Sequence, residues 1–337
     1  MKNIRIIDAT LRDGMHAVSH QLTPEQMAQI AAGLDAAGVD TIEIGHGDGL
    51  GGSSLQYGFA RASDKEYLAA VAKAVKNAKI DVLLIPGIGT IEDLEAAMAY
   101  GVKTVRVATH VTEADVGAQH IDFAKKHGLE AIGFLMMSHM ATPEKVAEQA
   151  KLFASYGADA VYVTDSAGAM VPGEVAERIT AVREAIKLPI GFHAHNNLGL
   201  AVGNTLAAIE AGASIVDGTV RGLGAGAGNT QLEVLVAVLK RLGYESGIDL
   251  YSIMDVGQQL VEPVMQRPQI VSNDALAIGY AGAYGSFLLH SQRAAEKFGV
   301  DARDILIEMG RRKTVGGQED LIIDVAIDLA TAKQLQK

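Results

Sequence analysis

Two histidines and a distant aspartate have the residue types and spacing of a catalytic metal site. His193 and His195 lie two residues apart in an apolar run, and side chains two apart on a β-strand point to the same face. Asp13 can add a carboxylate to the same cation. Two nitrogens and one carboxylate leave coordination positions for a substrate, as a Lewis-acid catalyst requires. The alternative is that the two histidines only satisfy local hydrogen bonds.

Two polar residues accompany Asp13 in the sequence. Arg12 is always charged, so its guanidinium can bind a developing oxyanion through two hydrogen bonds. Alternatively, Arg12 only pairs with a nearby carboxylate. His16 follows Asp13 by three residues, and histidine is the side chain most often used as a general base near neutral pH. The mixed oxygen and nitrogen donor set suits Mn²⁺, with Co²⁺, Mg²⁺ or Zn²⁺ as alternatives.

The elements that position these residues follow a repeat of about 30 residues, the size of a βα unit. In each repeat a helical segment ends at a glycine, the usual cap of a helix end, and a short apolar strand follows. The glycines are Gly38, Gly101, Gly128, Gly157 and Gly212. With the gaps filled, the pattern predicts eight strands, at 4–10, 41–46, 81–87, 104–110, 130–137, 160–165, 189–195 and 215–220.

Eight alternating units predict an α/β fold, a parallel (β/α)8 TIM barrel with a small C-terminal helical domain. Thr23-Pro24 and Thr142-Pro143 have the cap and proline of a helix start. We place the barrel at residues 1–262 and the helical domain at 263–337, with helices at 275–291 and 301–309 and a polar–apolar tail. An open doubly wound sheet is the alternative, but no GxGxxG motif follows the first strand.

In a (β/α)8 barrel the active site lies at the C-terminal ends of the strands. The polar residues of this sequence collect at those ends. They are Arg12, Asp13, His16, Glu43, His46, His110, Asp165, Ser166, His193, His195 and Arg221. A glycine-rich run at 222–229 follows the last strand. It can place backbone N–H groups against an anion, or it can simply make a tight turn.

Composition excludes several classes of protein. A net charge of −11 argues against a nucleic-acid or anionic-lipid surface. The absence of cysteine excludes disulfides, thiolate ligands and a cysteine nucleophile. We expect a cytoplasmic protein, because the sequence begins without a secretory pattern and has no apolar stretch of the roughly 18 residues that span a membrane.

The motifs Thr10-Leu-Arg-Asp-Gly14 and His193-Ala-His-Asn196, with the 222–229 loop, resemble the HMG-CoA lyase-like superfamily of metal-dependent TIM barrels. Within it the chain is similar to the 4-hydroxy-2-oxovalerate aldolases, also called 4-hydroxy-2-oxopentanoate pyruvate-lyases. That similarity rests on Met15-His16, on the 46–54 loop and on the 279–286 segment, which resembles the communication domain of these aldolases. The cysteine loop of HMG-CoA lyase is absent.

The resemblance implies roles for particular residues. It implies Asp13, His193 and His195 as metal ligands, and Arg12, His16 and Tyr284 as catalytic residues. It implies substrate contacts from Arg12, Asp13, Ser166, His193 and Tyr284. Asn229 is a ligand in some relatives, and we expect it here to lie behind the ligands.

The implied chemistry is a class II retro-aldol cleavage of 4-hydroxy-2-oxopentanoate to pyruvate and acetaldehyde, in the degradation of aromatic compounds, with Mn²⁺ as the expected ion. The implied partner is an acylating acetaldehyde dehydrogenase that receives the aldehyde through a tunnel. We expect the helical domain, residues 263–337, to dock it in a hetero-oligomer. Gly316-Gly317 either lies near that route or makes a surface turn.

Three other functions remain open. An acyl-CoA-dependent 2-oxoacid synthase or HMG-CoA-lyase-like enzyme would share the barrel and the metal, although His16 stands where those enzymes typically have glutamine. A two-histidine, one-carboxylate site also occurs in non-haem Fe(II) oxygenases. A non-catalytic scaffold subunit of the dehydrogenase is the third alternative.

Overall fold

The computed structural model describes residues 2–335 and confirms the predicted barrel. Within these residues eight parallel strands close on themselves in chain order. They are β1 (Arg5–Leu11), β2 (Thr41–Ile44), β3 (Lys79–Leu84), β4 (Val102–His110), β5 (Glu130–Met136), β6 (Ala160–Asp165), β7 (Ile190–Ala194) and β8 (Ile215–Gly218). The first strand pairs with the last, with Arg5 opposite Ile215, so the open doubly wound alternative is wrong.

Helices follow the barrel strands along the chain. They are α1 (Pro24–Ala36), α2 (Asp64–Ala74), α3 (Ile91–Met98), α4 (Ala118–Lys126), α5 (Pro143–Ser155), α6 (Pro172–Ala185), α7 (Ala201–Ala211) and α8 (Leu232–Arg241). The predicted helix starts are present. Thr23 and Gln26 form a reciprocal capping box on α1, and Thr142 accepts a hydrogen bond from the Lys145 amide on α5.

The chain continues past the barrel in helices that the sequence only partly predicted. They are α9 (Leu250–Val256), α10 (Asn273–Ala281), α11 (Phe287–Phe298), α12 (Ala302–Arg311) and α13 (Leu321–Leu335). The single helix predicted at 275–291 is wrong, because Gly282 (φ +64°) ends α10 in the left-handed conformation. Tyr284 lies in the resulting break. Most of the polar–apolar tail, for which no separate helix was predicted, is α13.

Three hydrophobic clusters support the described residues, and the smallest consists of barrel-strand side chains such as Ile7, Ile132 and Phe134. The largest lies between the barrel strands and their helices. The third lies among α10–α13 and includes the buried side chains of Ile278, Phe287, Leu306, Met309 and Val325. The helical region thus has a core of its own, and burying each such side chain stabilises it by roughly 1.5–3 kcal/mol. The domain boundary after residue 262 stays a prediction. Across residues 2–335, none of the helices combines the length and apolar character needed to cross a bilayer.

Candidate active site

A short 3₁₀ turn at the end of β1 presents Asp13 and His16 together. The turn spans Asp13–Val18. Because a 3₁₀-helix has three residues per turn, side chains three apart lie on the same side of it. The spacing of Asp13 and His16 therefore directs both towards the C-terminal end of the barrel, where β7 delivers the two histidines.

The structure brings Asp13, His193 and His195 together as a candidate ligand group for a metal ion. The Nε2 atoms of His193 and His195 lie 3.7 and 3.6 Å from the Oδ2 atom of Asp13. All three side chains are buried, and their donor atoms lie within 4.8 Å of one another. His193 belongs to β7, whereas His195 lies just past its end, where it forms an isolated bridge with Asn229. The two-residue spacing thus places both imidazoles on one side, as the strand pattern predicted.

The carboxylate of Asp217 fixes the tautomer and the orientation of the His193 ring. The Nδ1 atom of His193 lies 2.7 Å from Oδ2 of Asp217, and Oδ1 of Asp217 accepts a hydrogen bond from the Tyr162 hydroxyl. Arg106 also bonds to Asp217, so the pKa of this carboxyl stays below its ordinary value although burial raises it. An ionised Asp217 makes Nδ1 the donor, which leaves the Nε2 lone pair facing Asp13.

The charges at the three donors fit a cation. Burial alone would raise the pKa of Asp13, but the opposing effect of the nearby His195, Arg12 and His193 is larger. The pKa of Asp13 therefore lies well below its ordinary value, and its carboxyl is ionised. Burial lowers the pKa of His195 to about 4, which keeps the imidazole neutral near pH 7. An anionic carboxylate and a neutral imidazole are the protonation states that metal ligands require.

Asn229 adds an unpaired oxygen beside this group. Its Nδ2 donates to the Leu223 carbonyl, while its buried Oδ1 has no hydrogen-bond partner among the described residues. A Cβ on Gly224 would lie 2.4 Å from Nδ2 of Asn229 and 2.9 Å from Oδ1 of Asp13, so the glycine lets the loop pack closely. A buried oxygen without a partner, on the residue that bridges to His195, is compatible with a divalent cation nearby.

The glycine-rich loop does contact an anion, and that anion is Asp13. The Ala225 amide donates to Oδ1 of Asp13 at 3.3 Å. The loop after β8 therefore holds the carboxylate of the ligand group in place.

Arg12 joins the ligand group to the barrel interior. Its Nε donates to Glu43 at 2.7 Å, and its Nη1 donates to Asp13 at 2.9 Å and to the Gly47 carbonyl at 3.3 Å. The buried Nη2 has no partner among the described residues. Arg12 thus does pair with carboxylates, as the alternative interpretation held, yet one N–H-bearing nitrogen is free for a substrate oxygen.

His16 lies in a cluster of histidines. Its ring centroid is 5.0 Å from that of His20, which stacks on His46 at 3.7 Å. His16, His20 and Asp48 also form a second group of possible metal donors, with ligand atoms within 4.8 Å. The sequence singled out His16 and His46 but not His20.

Ser166 and Tyr284 lie near the mouth of the barrel. Ser166 directly follows β6, and its Oγ accepts a hydrogen bond from the Met137 amide at 3.1 Å. Tyr284 packs against Phe287 and lies close to Gly316. Burial raises the pKa of Tyr284 well above its usual range, and the charges of Glu113 and Asp48 raise it further. Its hydroxyl therefore stays protonated and faces acidic loops of the barrel.

Three polar residues at the strand ends serve the loops. Arg221 pairs with Glu233 and Glu262. His110 bonds to Thr112, and Asp165 accepts hydrogen bonds from the amides of Ala169 and Met170. These contacts explain the three residues without a role at the ligand group.

The sequence pointed to Glu43 but not to the other buried charges beneath the site, Arg106, Asp81 and Asp217. Arg106 is wholly buried and forms ion pairs with Glu43, Asp81 and Asp217, and its guanidinium lies 5.1 Å from the Phe134 ring centroid. The sequence does contain a sign of these charges, because each of the charged residues interrupts an otherwise apolar strand. A charge in such a run is costly unless it is paired inside the barrel.

The comparisons with known proteins agree with this geometry. The HMGL-like family model matches residues 3–260, and the DmpG-like communication domain model matches residues 269–331. At the level of the fold, the chain is similar to HMG-CoA lyase from Brucella melitensis (TM-score 0.70, 21% identity, covering 79% of this chain and 100% of that one). It is also similar to Rhizobium etli pyruvate carboxylase (TM-score 0.83, 19% identity, covering 99% of this chain and 32% of that one).

The closed barrel with its group of donors is thus an HMGL-like TIM barrel of the divalent-metal-dependent class. The 4-hydroxy-2-oxovalerate aldolase of Carboxydothermus hydrogenoformans is 71% identical over 333 residues, 99% of each chain. That of Pelotomaculum thermopropionicum is 64% identical over 98% of this chain and 97% of that one. The chain belongs to the 4-hydroxy-2-oxovalerate aldolase family and is a carbon–carbon lyase, which confirms the resemblance seen in the sequence.

Proposed function

We propose that the protein cleaves 4-hydroxy-2-oxopentanoate to pyruvate and acetaldehyde, a step in the degradation of aromatic compounds. The observation that carries this proposal is the convergence of Asp13, His193 and His195 beside Arg12 and His16. We propose Mn²⁺ as the ion, because a donor set of two imidazoles and a carboxylate suits it.

Each residue has a part in the cleavage. A divalent cation held by Asp13, His193 and His195 would act as a Lewis acid on the 2-oxo group. His16 takes the C4 hydroxyl proton, the C3–C4 bond breaks, and acetaldehyde leaves while the bonding electrons form the pyruvate enolate. The unpaired Nη2 of Arg12 donates to the enolate oxygen, and C3 then takes a proton to give pyruvate.

Tyr284 and Ser166 complete the substrate contacts in this proposal. A tyrosine that stays protonated can donate a hydrogen bond and orient the substrate, and the raised pKa of Tyr284 supports that role. Ser166 follows β6, which pairs with the strand that carries His193, and its Oγ, which accepts from the Met137 amide, makes no other hydrogen bond among the described residues. His193 would contact the bound substrate from β7.

An acylating acetaldehyde dehydrogenase is the proposed partner, docked on residues 263–337 as a hetero-oligomer. The match of residues 269–331 to a DmpG-like communication domain supports this. Leu276 and Tyr280 on α10 expose 47% and 77% of their surface, which is apolar area that a partner can cover. Gly316 lies against Tyr284, where a Cβ would be 3.4 Å from the ring, so Gly316-Gly317 suits a close passage for the aldehyde.

The docking proposal is tested by co-purification with the dehydrogenase. Tyr280→Glu is expected to weaken co-purification, because it puts a charge in the proposed interface. Tyr251→Glu is the matched control, since Tyr251 is equally exposed (76%) but lies on α9, outside the helical region. Equal recovery of the partner by both variants would contradict this docking surface.

Pyruvate release tests the activity itself. Pyruvate formed from 4-hydroxy-2-oxopentanoate is coupled to lactate dehydrogenase, after chelation and again after Mn²⁺ is restored. We expect turnover to disappear on chelation and to return with Mn²⁺. Free CoA released from acetyl-CoA and a 2-oxoacid would instead support the synthase, and oxygen consumption would support the oxygenase.

A further inference from the structure

The ring of His16 has no hydrogen bond to orient it. Within residues 2–335, neither a side chain nor a backbone group bonds to either of its ring nitrogens, although His193 is anchored by Asp217. A catalytic base is normally oriented by a third group so that its lone pair faces the proton it removes. In this site the orientation of His16 has to come from packing.

Gly47 and His20 supply that packing. A Cβ on Gly47 would lie 2.4 Å from Nε2 of His16, so the ring rests directly on the Gly47 backbone. The ring of His20 lies against that of His16 with an interplanar angle of 73°. Because protein interiors are closely packed, contacts with the Gly47 backbone and with the His20 ring from different directions fix the plane of the His16 ring.

His20 is itself held by its neighbours. It stacks on His46 with an interplanar angle of 16°, and its Nδ1 accepts a hydrogen bond from the Gly47 amide at 3.4 Å. His46 is anchored at both ring nitrogens, because Nε2 donates to the Gly58 carbonyl and Nδ1 accepts from the Asp48 amide. Each Nδ1 accepts from a backbone N–H, so both rings are neutral in this arrangement.

The backbone accepts strain to put His20 in this position. Ser19 and His20 have φ of 54° and 58°, the left-handed region that non-glycine residues rarely adopt. The turn is secured because the His20 amide donates to the Met15 carbonyl and the His20 carbonyl accepts from the Arg61 amide. Such conformations persist where the surrounding structure imposes them, and they concentrate at functional sites.

We propose that His20 is a positioning residue, whose ring, stacked on His46, holds the imidazole of His16 in the orientation needed for proton transfer. This inference rests on the proposed function, in which His16 is the base. Burial lowers the pKa of His20 to about 2, with a smaller contribution from His16, so His20 adds no positive charge beside the base. Because His20 acts through His16, its loss affects kcat and leaves metal binding intact.

The test compares His20→Ala, which removes the ring, with His20→Phe, which keeps a flat ring against His46. We expect His20→Ala to lower kcat about 10- to 100-fold, because small misplacements of catalytic groups cost that much. KM and Mn²⁺ content are expected to stay as in the wild type, and His20→Phe is expected to recover most of kcat. His120→Ala is the matched control, since His120 is a buried histidine on α4.

A second variant keeps the proposal testable if His20→Ala does not fold. Gly47→Ala pushes His16 off its support and is expected to lower kcat in the same way, whereas Gly173→Ala, in open space on α6, should not. Wild-type kcat in His20→Ala or in Gly47→Ala would overturn the inference. It would also be overturned if His20→Phe were as slow as His20→Ala. Absence of pyruvate formation by the wild type would instead refute the proposed function.

Discussion

His193 donates its Nδ1 proton to Asp217, 2.7 Å away, and thereby turns its other ring nitrogen towards Asp13. The acid that orients the histidine belongs to β8, and Arg106 donates to the same carboxylate oxygen, Oδ2 of Asp217. The ligand group is therefore continuous with the buried charges inside the barrel. Its geometry depends on Asp217 and Arg106, which lie outside the group of three donors.

Asp217→Asn is expected to weaken Mn²⁺ binding about 10- to 100-fold, because partners behind a metal-bound histidine contribute that much. Isothermal titration calorimetry of the metal-free protein measures the change. Asp81→Asn is the matched control. Asp81 also lies against Arg106, with Oδ2 3.1 Å from Nε, but unlike Asp217 it has no contact with His193. Equal Mn²⁺ affinity in Asp217→Asn and the wild type would show that Asp217 does not support the ligand.

Arg12→Lys is expected to reduce kcat about 100- to 1000-fold, the usual cost of removing one donor from a developing oxyanion. A lysine can replace one of the bonds to Glu43 and Asp13 but cannot also present a third nitrogen to the substrate. Steady-state kinetics with saturating Mn²⁺ measures the loss, with the exposed Arg241→Lys as control. Near-normal kcat would make Arg12 a structural ion-pair partner only.

His16→Ala is expected to keep Mn²⁺ and pyruvate binding and to lose about 100- to 10,000-fold in kcat, the range of general base catalysis. Binding survives because His16 is not one of the three donors around Asp13. Pyruvate binding is followed by calorimetry and turnover by the coupled assay. The exposed His127→Ala serves as control. Unchanged turnover would remove His16 from the base role.

Asp8→Asn is expected to flatten the pH dependence of stability. Burial raises the pKa of Asp8 to about 7, and the carboxyl lies beside Thr10 in β1. Between about pH 4 and pH 7 the folded state binds more protons than the unfolded state at this group. The free energy of unfolding of the wild type therefore falls as pH rises through that window, by up to about 1.4 kcal/mol per pH unit from this carboxyl.

Urea unfolding of Asp8→Asn and the wild type across this window measures the effect. The stability of the variant relative to the wild type should rise from acid to neutral pH and then level off. Asp122→Asn, an exposed carboxyl on α4, should show no such trend. A constant difference between Asp8→Asn and the wild type would mean that Asp8 is ionised in the folded protein.

The barrel could be predicted because glycine caps and apolar runs recur locally in every βα unit. Strand ends were less accurate, since they depend on individual backbone conformations. The second strand ends at Ile44 and not at residue 46, because Gly45 (φ +147°) turns the chain and carries His46 onto His20. Gly282 likewise breaks a pattern that looked continuous in the sequence.

The ligand group could be predicted from a two-residue spacing and a known motif, but its support could not. Asp217 meets His193 only through the register between β7 and β8, which no local pattern encodes. His20 reaches His16 through a left-handed turn that two non-glycine residues rarely make. Contacts that depend on the register between strands, or on strained turns, could therefore not be predicted from the sequence.

A Mn²⁺ titration followed by electron paramagnetic resonance tests the central claim most directly, because it counts bound ions without requiring turnover. The wild type is expected to bind one Mn²⁺ per chain, with a spectrum that changes when pyruvate is added. Asp13→Asn and His195→Ala are expected to lose that ion. Full Mn²⁺ binding by both variants, or none by the wild type, would contradict the shared cation on which the proposed cleavage depends.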